Sequence, residues 1–228
     1  MAIVGLVFST YLQPVLKALR PDGRFYEGYH NELISTALSS DMLAAFLPAL
    51  AAIPLSAGYF EDVKSKISRF FLIRSSYSGY LLGNCITCWL CGGGAVLLGA
   101  LSAWGITTAV FLPLERLVDN PPELGLQIVE QLTLLFLNGG LWAVLGMTMS
   151  TIMESKYIAY ASPFIVYYLL VILYERYFPN AWLLYPMNWL DPDIWPYGVG
   201  SAALFLLELT FLCGLVFYIR GKRRLEQL

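Results

Sequence analysis

Long blocks of apolar residues dominate this sequence and restrict it more than any other feature. The blocks are Ala2–Leu19, Met42–Phe60, Tyr77–Pro113, Leu132–Met149, Tyr157–Tyr174 and Tyr197–Tyr218. A helix needs about 20 apolar residues to cross a hydrocarbon layer of about 30 Å. Only 13% of the residues are charged, against about 25% in an average soluble domain, so the chain cannot cover these blocks in water. The sequence predicts an all-α integral membrane protein with about six transmembrane helices, as one domain over residues 1–228.

Two of the blocks need separate treatment. Ala2–Leu19 is the weakest, but it has neither the basic start nor the small-residue cleavage pattern of a signal peptide, so we interpret it as a first span. If it lies in the membrane interface instead, five spans remain and the N-terminus moves outside. Tyr77–Pro113 is too long for one span and too short for two spans and a turn, so we predict one long helix that protrudes on one side.

Positively charged residues in short loops set the orientation, because they stay on the cytoplasmic side. Nine of them would share one side in this topology: Lys64, Lys66, Arg69, Arg74, Lys156, Arg220, Lys222, Arg223 and Arg224. The sequence therefore predicts a multi-pass protein of the cell membrane with both termini in the cytoplasm. Lys17, Arg20 and Arg24 fall on the other side and oppose this topology.

The loop between the second and third blocks carries an amphipathic pattern. Val63, Ile67, Phe70 and Phe71 fall at i, i+4, i+7 and i+8, which predicts a helix with one apolar face lying along the membrane surface. Two interpretations stay open: the helix anchors the loop in the interface, or it docks a cytoplasmic partner.

Five features in order give the chain a family resemblance. They are the Pro-containing span PALAAIPLSAGYF, the acidic-basic helix FEDVKSKISRFFLIR, the Tyr in SSYSGYLLGN, the six spans and an aromatic hairpin before the last span. In this order they resemble the ABC-2 type permeases of ATP-binding cassette (ABC) transporters, which are usually exporters.

The resemblance implies a function and a set of partners. The first cytoplasmic loop, Glu61 to Arg74, would be a coupling helix that touches a separate ATP-binding subunit, through Glu61, Asp62, Lys64, Lys66, Arg69, Phe70 and Arg74. A second permease subunit, giving a homodimer or a heterodimer, is also implied, and the exported substrate would be a peptide, an antibiotic or a lipid-like molecule.

The chain has no machinery of its own for nucleotide hydrolysis. It contains no G-x-x-x-x-G-K-[ST] phosphate loop, so we predict no cofactor in this chain, with ATP bound by the partner subunit. Nucleic-acid binding is not suggested. Two rival functions are a membrane-embedded enzyme, which would need a nucleophile, a carboxylate pair or metal ligands at membrane depth, and a non-transporting membrane scaffold.

Glu208 lies near the middle of the last block, where an exposed carboxylate costs about 2.5–3.5 kcal/mol. We therefore expect it to face protein or water. With Ser201 and Tyr197 it would form a polar strip in a translocation path or at a subunit interface. Equally open is a protonated Glu208 that is hydrogen-bonded within the bundle.

The segment 177–198 combines proline with aromatic residues. Its prolines exclude one continuous helix, and Trp182, Trp189 and Trp195 favour the membrane interface. We predict an external re-entrant hairpin before the last helix, which in the resembling family helps to gate the exit. The alternative is an interfacial aromatic belt.

Small residues and one histidine complete the expectations. Gly92–Gly94 and Gly139–Gly140 predict close approaches between helices, because small residues drive packing in lipid. Cys85, Cys88 and Cys91 are interpreted as packing residues, since positions three apart drift around a helix. His30 is interpreted as a solvated residue of an external loop.

Overall fold

The computed structural model describes residues 2–10, 15, 28–72, 76–115 and 124–226. The regular structure of this part of the chain is helical. The α-helices are α1 (Ala2–Thr10), α2 (Tyr29–Leu38), α3 (Asp41–Ala52), α4 (Gly58–Lys64), α5 (Ser68–Leu72), α6 (Tyr77–Phe111), α7 (Leu124–Met153), α8 (Lys156–Arg176) and α9 (Val199–Leu225). Short 3₁₀ turns lie at Leu112–Leu114, Trp182–Leu184, Pro186–Trp189 and Pro192–Ile194.

Helices α6 to α9 are each long and apolar enough to cross a membrane, and the bent pair α2–α3 would make a fifth span. The predicted all-helical architecture is thus confirmed, with four or five helices long and apolar enough to cross a membrane, but a count of six is not. The first predicted span, Ala2–Leu19, is described only as α1 and at Val15; its remaining residues, with Lys17, Arg20 and Arg24, lie outside the described residues. The single long helix predicted from Tyr77 is confirmed by α6.

The second predicted span, Met42–Phe60, differs from the structure at both ends. The apolar helix begins earlier, as α2, bends by 63° and continues as α3. The bend falls at Ser40, whose hydroxyl accepts a hydrogen bond from the Leu43 N–H and caps the start of α3. Turns replace the helix after Ala52, so this segment crosses the bundle as a series of shorter pieces.

Helix α7 occupies the centre of the bundle and packs against α3, α6, α8 and α9. Of its most apolar stretch 78% is buried, against 17% to 28% for the corresponding stretches of α6, α8 and α9. The other three long helices therefore present most of their surface outward, as expected for helices that face lipid.

Glycines bring α6 and α7 into close contact, as the sequence predicts. A Cβ built on Gly92 would clash with Ala143 of α7 and approach the backbone oxygens of Ala51 and Gly139. On α7, a Cβ at Gly140 would clash with the Trp89 ring. The prediction is wrong for Gly94, which has open space around it.

The bundle has two chemically different ends. We name the first the basic end; it contains residues 58–72, the turn Glu154–Ser155 and residues 220–226. The opposite end contains the start of α2, residues 112–115 and the segment 177–198.

A buried carboxylate ties the start of α2 to the end of α6 at the opposite end. Glu115 accepts hydrogen bonds from the backbone N–H groups of Gly28, at 3.1 Å, and His30, at 2.7 Å, and its oxygen lies 2.8 Å from the His30 Nδ1. The side chains of His30 and Glu115 are only 12% and 5% exposed. The interpretation of His30 as a solvated loop residue is therefore wrong, because a carboxylate distant in sequence covers its ring.

Candidate functional site

The segment 58–72 at the basic end consists of two short helices, α4 and α5, and not of one helix from Glu61 to Arg74. The helix breaks at residues 65–67, where Lys66 adopts a left-handed φ of 62° and the Ser65 hydroxyl donates back to the Glu61 carbonyl. A left-handed residue cannot continue a right-handed helix. Arg74 and the side chain of Arg69 lie outside the described residues.

The first half of the segment is anchored in the bundle. Tyr59, Phe60 and Val63 are all buried. The Tyr59 ring meets Phe217 of α9 edge-on at 4.8 Å, and its hydroxyl donates to the Gly221 carbonyl at 3.3 Å. A Cβ at Gly221 would crowd this hydroxyl and Leu81, so the glycine allows α4 and α9 to approach closely.

Burial also makes the Tyr59 hydroxyl less acidic. It raises the pKa of Tyr59 to about 12, against a smaller lowering by the positive charge of Arg224. The phenol, which is protonated at physiological pH even at its ordinary pKa of about 10, thus stays a hydrogen-bond donor to α9 to a higher pH.

Polar contacts link the same segment to three other elements. Tyr80 of α6 donates to the Asp62 carboxylate at 3.1 Å, and Lys156 of α8 lies 3.9 Å from Glu61. The Arg224 guanidinium lies over the Phe60 ring, 5.4 Å from its centroid, and 3.8 Å from Glu154. The exposed ion pairs each contribute less than about 1 kcal/mol, so the buried aromatic contacts hold the segment in place.

The second half of the segment has exposed apolar side chains. Phe70 is 73% exposed, and Ile67 and Phe71 are about half exposed. The single apolar face predicted from Val63, Ile67, Phe70 and Phe71 is therefore wrong, because Val63 is buried whereas the other three are exposed after the break. The Phe71 ring also stacks on Tyr80 of α6 at 5.9 Å. Lys64 and Lys66, which precede these apolar side chains in the sequence, are also exposed.

The Tyr59 hydroxyl provides a test of the anchoring half. Replacing Tyr59 by Phe removes the hydrogen bond to Gly221 and keeps the ring contacts, so we expect a loss of about 1 kcal/mol in the free energy of unfolding. The matched control is Tyr157→Phe, at a residue that is 74% exposed, and it should leave the free energy of unfolding unchanged. Denaturant titration in detergent micelles measures both; equal stability of the two variants would contradict the anchoring role.

Glu208 lies on the outer surface of α9 and not inside the bundle. The interpretation of a carboxyl hydrogen-bonded within the bundle is therefore wrong. Leu204, Phe211 and Leu212 surround it on the exposed face. Ser201 lies two turns before it on the same face, where its hydroxyl donates to the Gly198 carbonyl at 2.9 Å.

Tyr197 does not extend this polar strip along α9. It precedes the helix, which begins at Val199, and it is 88% exposed. The structure therefore places Ser201 and Glu208 on one face and separates Tyr197 from them.

The tryptophans of the segment 177–198 pack inward. Trp189 stacks on Trp142 of α7 at 5.9 Å and meets Phe205 of α9 at 5.7 Å, while Trp182 and Trp195 contact each other at 4.9 Å. A run of 3₁₀ turns replaces a continuous helix here, as the prolines predict. Trp189 and Trp195 are buried, so these two side chains do not form an outward aromatic belt.

A cavity of about 390 Å³ lies beneath this segment, between α7, α8 and α9. Its walls are apolar, and they include Trp142, Trp189 and Phe205. Such a cavity favours an apolar molecule, because it offers an ionic ligand no charged partner.

Sequence reasoning missed the residues that hold the candidate site in place. Tyr59 donates a hydrogen bond to the Gly221 carbonyl and Arg224 lies over the Phe60 ring, so both contacts join α4 to α9 across a large sequence separation. Tyr59 and Tyr80 flank the charged loop, and this pattern is a local signal of aromatic packing beside the loop. No local pattern, however, connects either tyrosine to α9.

No protein-family model matches this chain, and no curated protein matches it.

Proposed function

We propose that the chain is the membrane-spanning permease subunit of an ABC exporter, driven by a separate ATP-binding subunit. The observation that carries the proposal is the construction of the segment 58–72. Its first half is packed against α6 and α9, Phe70 of its second half is exposed, and Lys64 and Lys66 are exposed at the break between the halves. A partner that moved this surface would move the ends of two long helices with it.

Further support comes from the composition of the basic end. Lys156 and Arg224 surround the segment and are held near Glu61 and Glu154. In the proposed topology this end is cytoplasmic, because basic residues are retained there, and α9 ends on that side. The partner therefore docks where ATP is available.

The outward-facing Glu208 supports the presence of a second permease subunit. A carboxylate at mid-membrane facing lipid is costly, and such residues almost always face protein or a water-filled cavity. In this chain Glu208 is exposed in the centre of α9, so a second membrane chain, in a homodimer or a heterodimer, would cover it. The surface around Glu208 and Ser201 then lies at the subunit interface or along the translocation path.

The apolar cavity beneath the segment 177–198 supports the proposal that the exported substrate is hydrophobic. A hydrophobic peptide, an antibiotic or a lipid-like molecule would fit its apolar walls. Rearrangement of the Trp189 contacts would open this cavity toward the outer side.

Co-purification tests the proposal directly. The chain is co-expressed with ATPase subunits encoded next to its gene, and ATPase recovery and ATP turnover are measured. We expect Phe70→Ala to reduce ATPase recovery at least fivefold, since an exposed aromatic anchor at an interface contributes more than about 1 kcal/mol. Arg69→Ala is measured in parallel.

The matched control is Phe178→Ala, which removes a phenylalanine that is 56% exposed at the opposite end. It should leave ATPase recovery unchanged. Failure of the wild-type chain to retain any ATPase, or equal losses for Phe70→Ala and Phe178→Ala, would refute the proposed coupling surface.

A further inference from the structure

An open apolar groove runs between α6 and α9 on the outer surface of the bundle. Its volume is about 630 Å³. Leu82, Ile86 and Trp89 of α6 and Leu207, Phe211 and Tyr218 of α9 contribute to its walls. Phe211 is 70% exposed, so the described part of the chain leaves the groove uncovered.

The length of the groove matches one leaflet of a bilayer. From Leu207 to Tyr218 the helix rises about 17 Å, and half of a hydrocarbon layer of about 30 Å is about 15 Å. The Tyr218 end of the groove lies toward the basic end, and its Leu207 end lies near the middle of α9. An acyl chain of the leaflet at the basic end would fill this length.

A positive charge stands at the mouth of the groove. Lys222 follows Phe211, Leu215 and Tyr218 on the same helical face, and its side chain leans back toward Tyr218 because Cβ atoms tilt toward the helix N-terminus. Lys222 is exposed, and among the described residues it forms no ion pair. Arg220 is also exposed, but it lies on a different face of α9.

We propose that this groove binds one anionic phospholipid from the leaflet at the basic end, with an acyl chain along α6 and α9 and the phosphate beside Lys222. Basic residues next to grooves between membrane helices bind anionic headgroups in this way. The apolar walls accept the chain of any phospholipid, whereas Lys222 favours one with net negative charge. The proposal concerns a bound lipid and holds whether or not the chain is a permease.

Native mass spectrometry of the purified chain tests this site. Dioleoyl phosphatidylglycerol and dioleoyl phosphatidylcholine are titrated separately, so that the two probes differ only in their headgroups. We expect tighter binding of phosphatidylglycerol, and a loss of about fivefold in its affinity for Lys222→Gln, since a surface basic residue contributes about 1 kcal/mol to anionic lipid binding. Phosphatidylcholine binding should not change in this variant.

Two further variants separate the site from general electrostatics. Arg220→Gln removes the same charge from a different face of the same helix and should leave phosphatidylglycerol binding within twofold of wild type. Leu207→Trp fills the inner end of the groove and should weaken both lipids. Equal affinities for the two lipids, equal losses in Lys222→Gln and Arg220→Gln, or a Leu207→Trp variant that changes the oligomeric state and leaves lipid binding intact would each overturn the proposal.

Discussion

Replacing Gly92 by leucine is expected to destabilise the folded bundle by about 3 kcal/mol. Gly92 lies where α6 crosses α3 and α7, and even a Cβ there would meet Ala143 and the backbone oxygens of Ala51 and Gly139. The atoms it meets belong to both α3 and α7, so a larger side chain fits only if α6 moves away from both helices. Denaturant titration in detergent micelles measures the loss, and the yield of monodisperse protein should fall with it.

The neighbouring Gly94 provides a matched control on the same helix. It has no atom within 4 Å of a built Cβ, so Gly94→Leu should keep wild-type stability within about 0.5 kcal/mol, as for an ordinary surface substitution. Similar losses in the two variants would show that helix α6 needs glycine for a reason other than this crossing.

Replacing Glu115 by alanine is expected to cost about 3 kcal/mol of folding free energy, because removing one partner of a buried pair leaves the other without compensation. The carboxylate accepts hydrogen bonds from two backbone N–H groups at the start of α2 and lies beside the His30 ring. Loss of Glu115 leaves these donors unsatisfied and frees the start of α2 from the end of α6.

Two variants make the Glu115 prediction specific. Glu175→Ala removes an exposed carboxylate from the same end of the bundle and should not change stability measurably. Glu115→Gln keeps the size and one acceptor oxygen, so it should lose less than Glu115→Ala. A wild-type unfolding curve for Glu115→Ala would contradict the role given to this carboxylate.

The sequence predicts the long helices because lipid imposes a simple requirement on them. A span needs about 20 apolar residues, whatever its neighbours are, so α6 and α8 are predicted nearly to their ends, whereas α9 extends from the predicted Tyr218 to Leu225. The close approaches at Gly92 and Gly140 follow from the same reasoning, since only small residues let helix backbones approach.

Features that depend on distant residues could not be predicted in this way. The break at Lys66 resets the helical register, so a periodicity counted from Val63 to Phe71 gives a face that does not form. The partner of His30 is Glu115, which lies just after the end of α6, and no local pattern identifies this pair. The direction of Glu208 depends on how α9 is rotated in the bundle, which its own sequence leaves open.

The tight connection between α7 and α8 has a consequence for the biosynthesis of the protein. Only Glu154 and Ser155 separate the two helices, and Glu154 adopts a positive φ of 53°. Helix α7 carries the buried polar residues Gln131 and Asn138, which make solitary insertion into lipid unfavourable. We expect α7 to be retained in the translocon until α8 has been synthesised, so that the two helices enter the bilayer together as one helical hairpin.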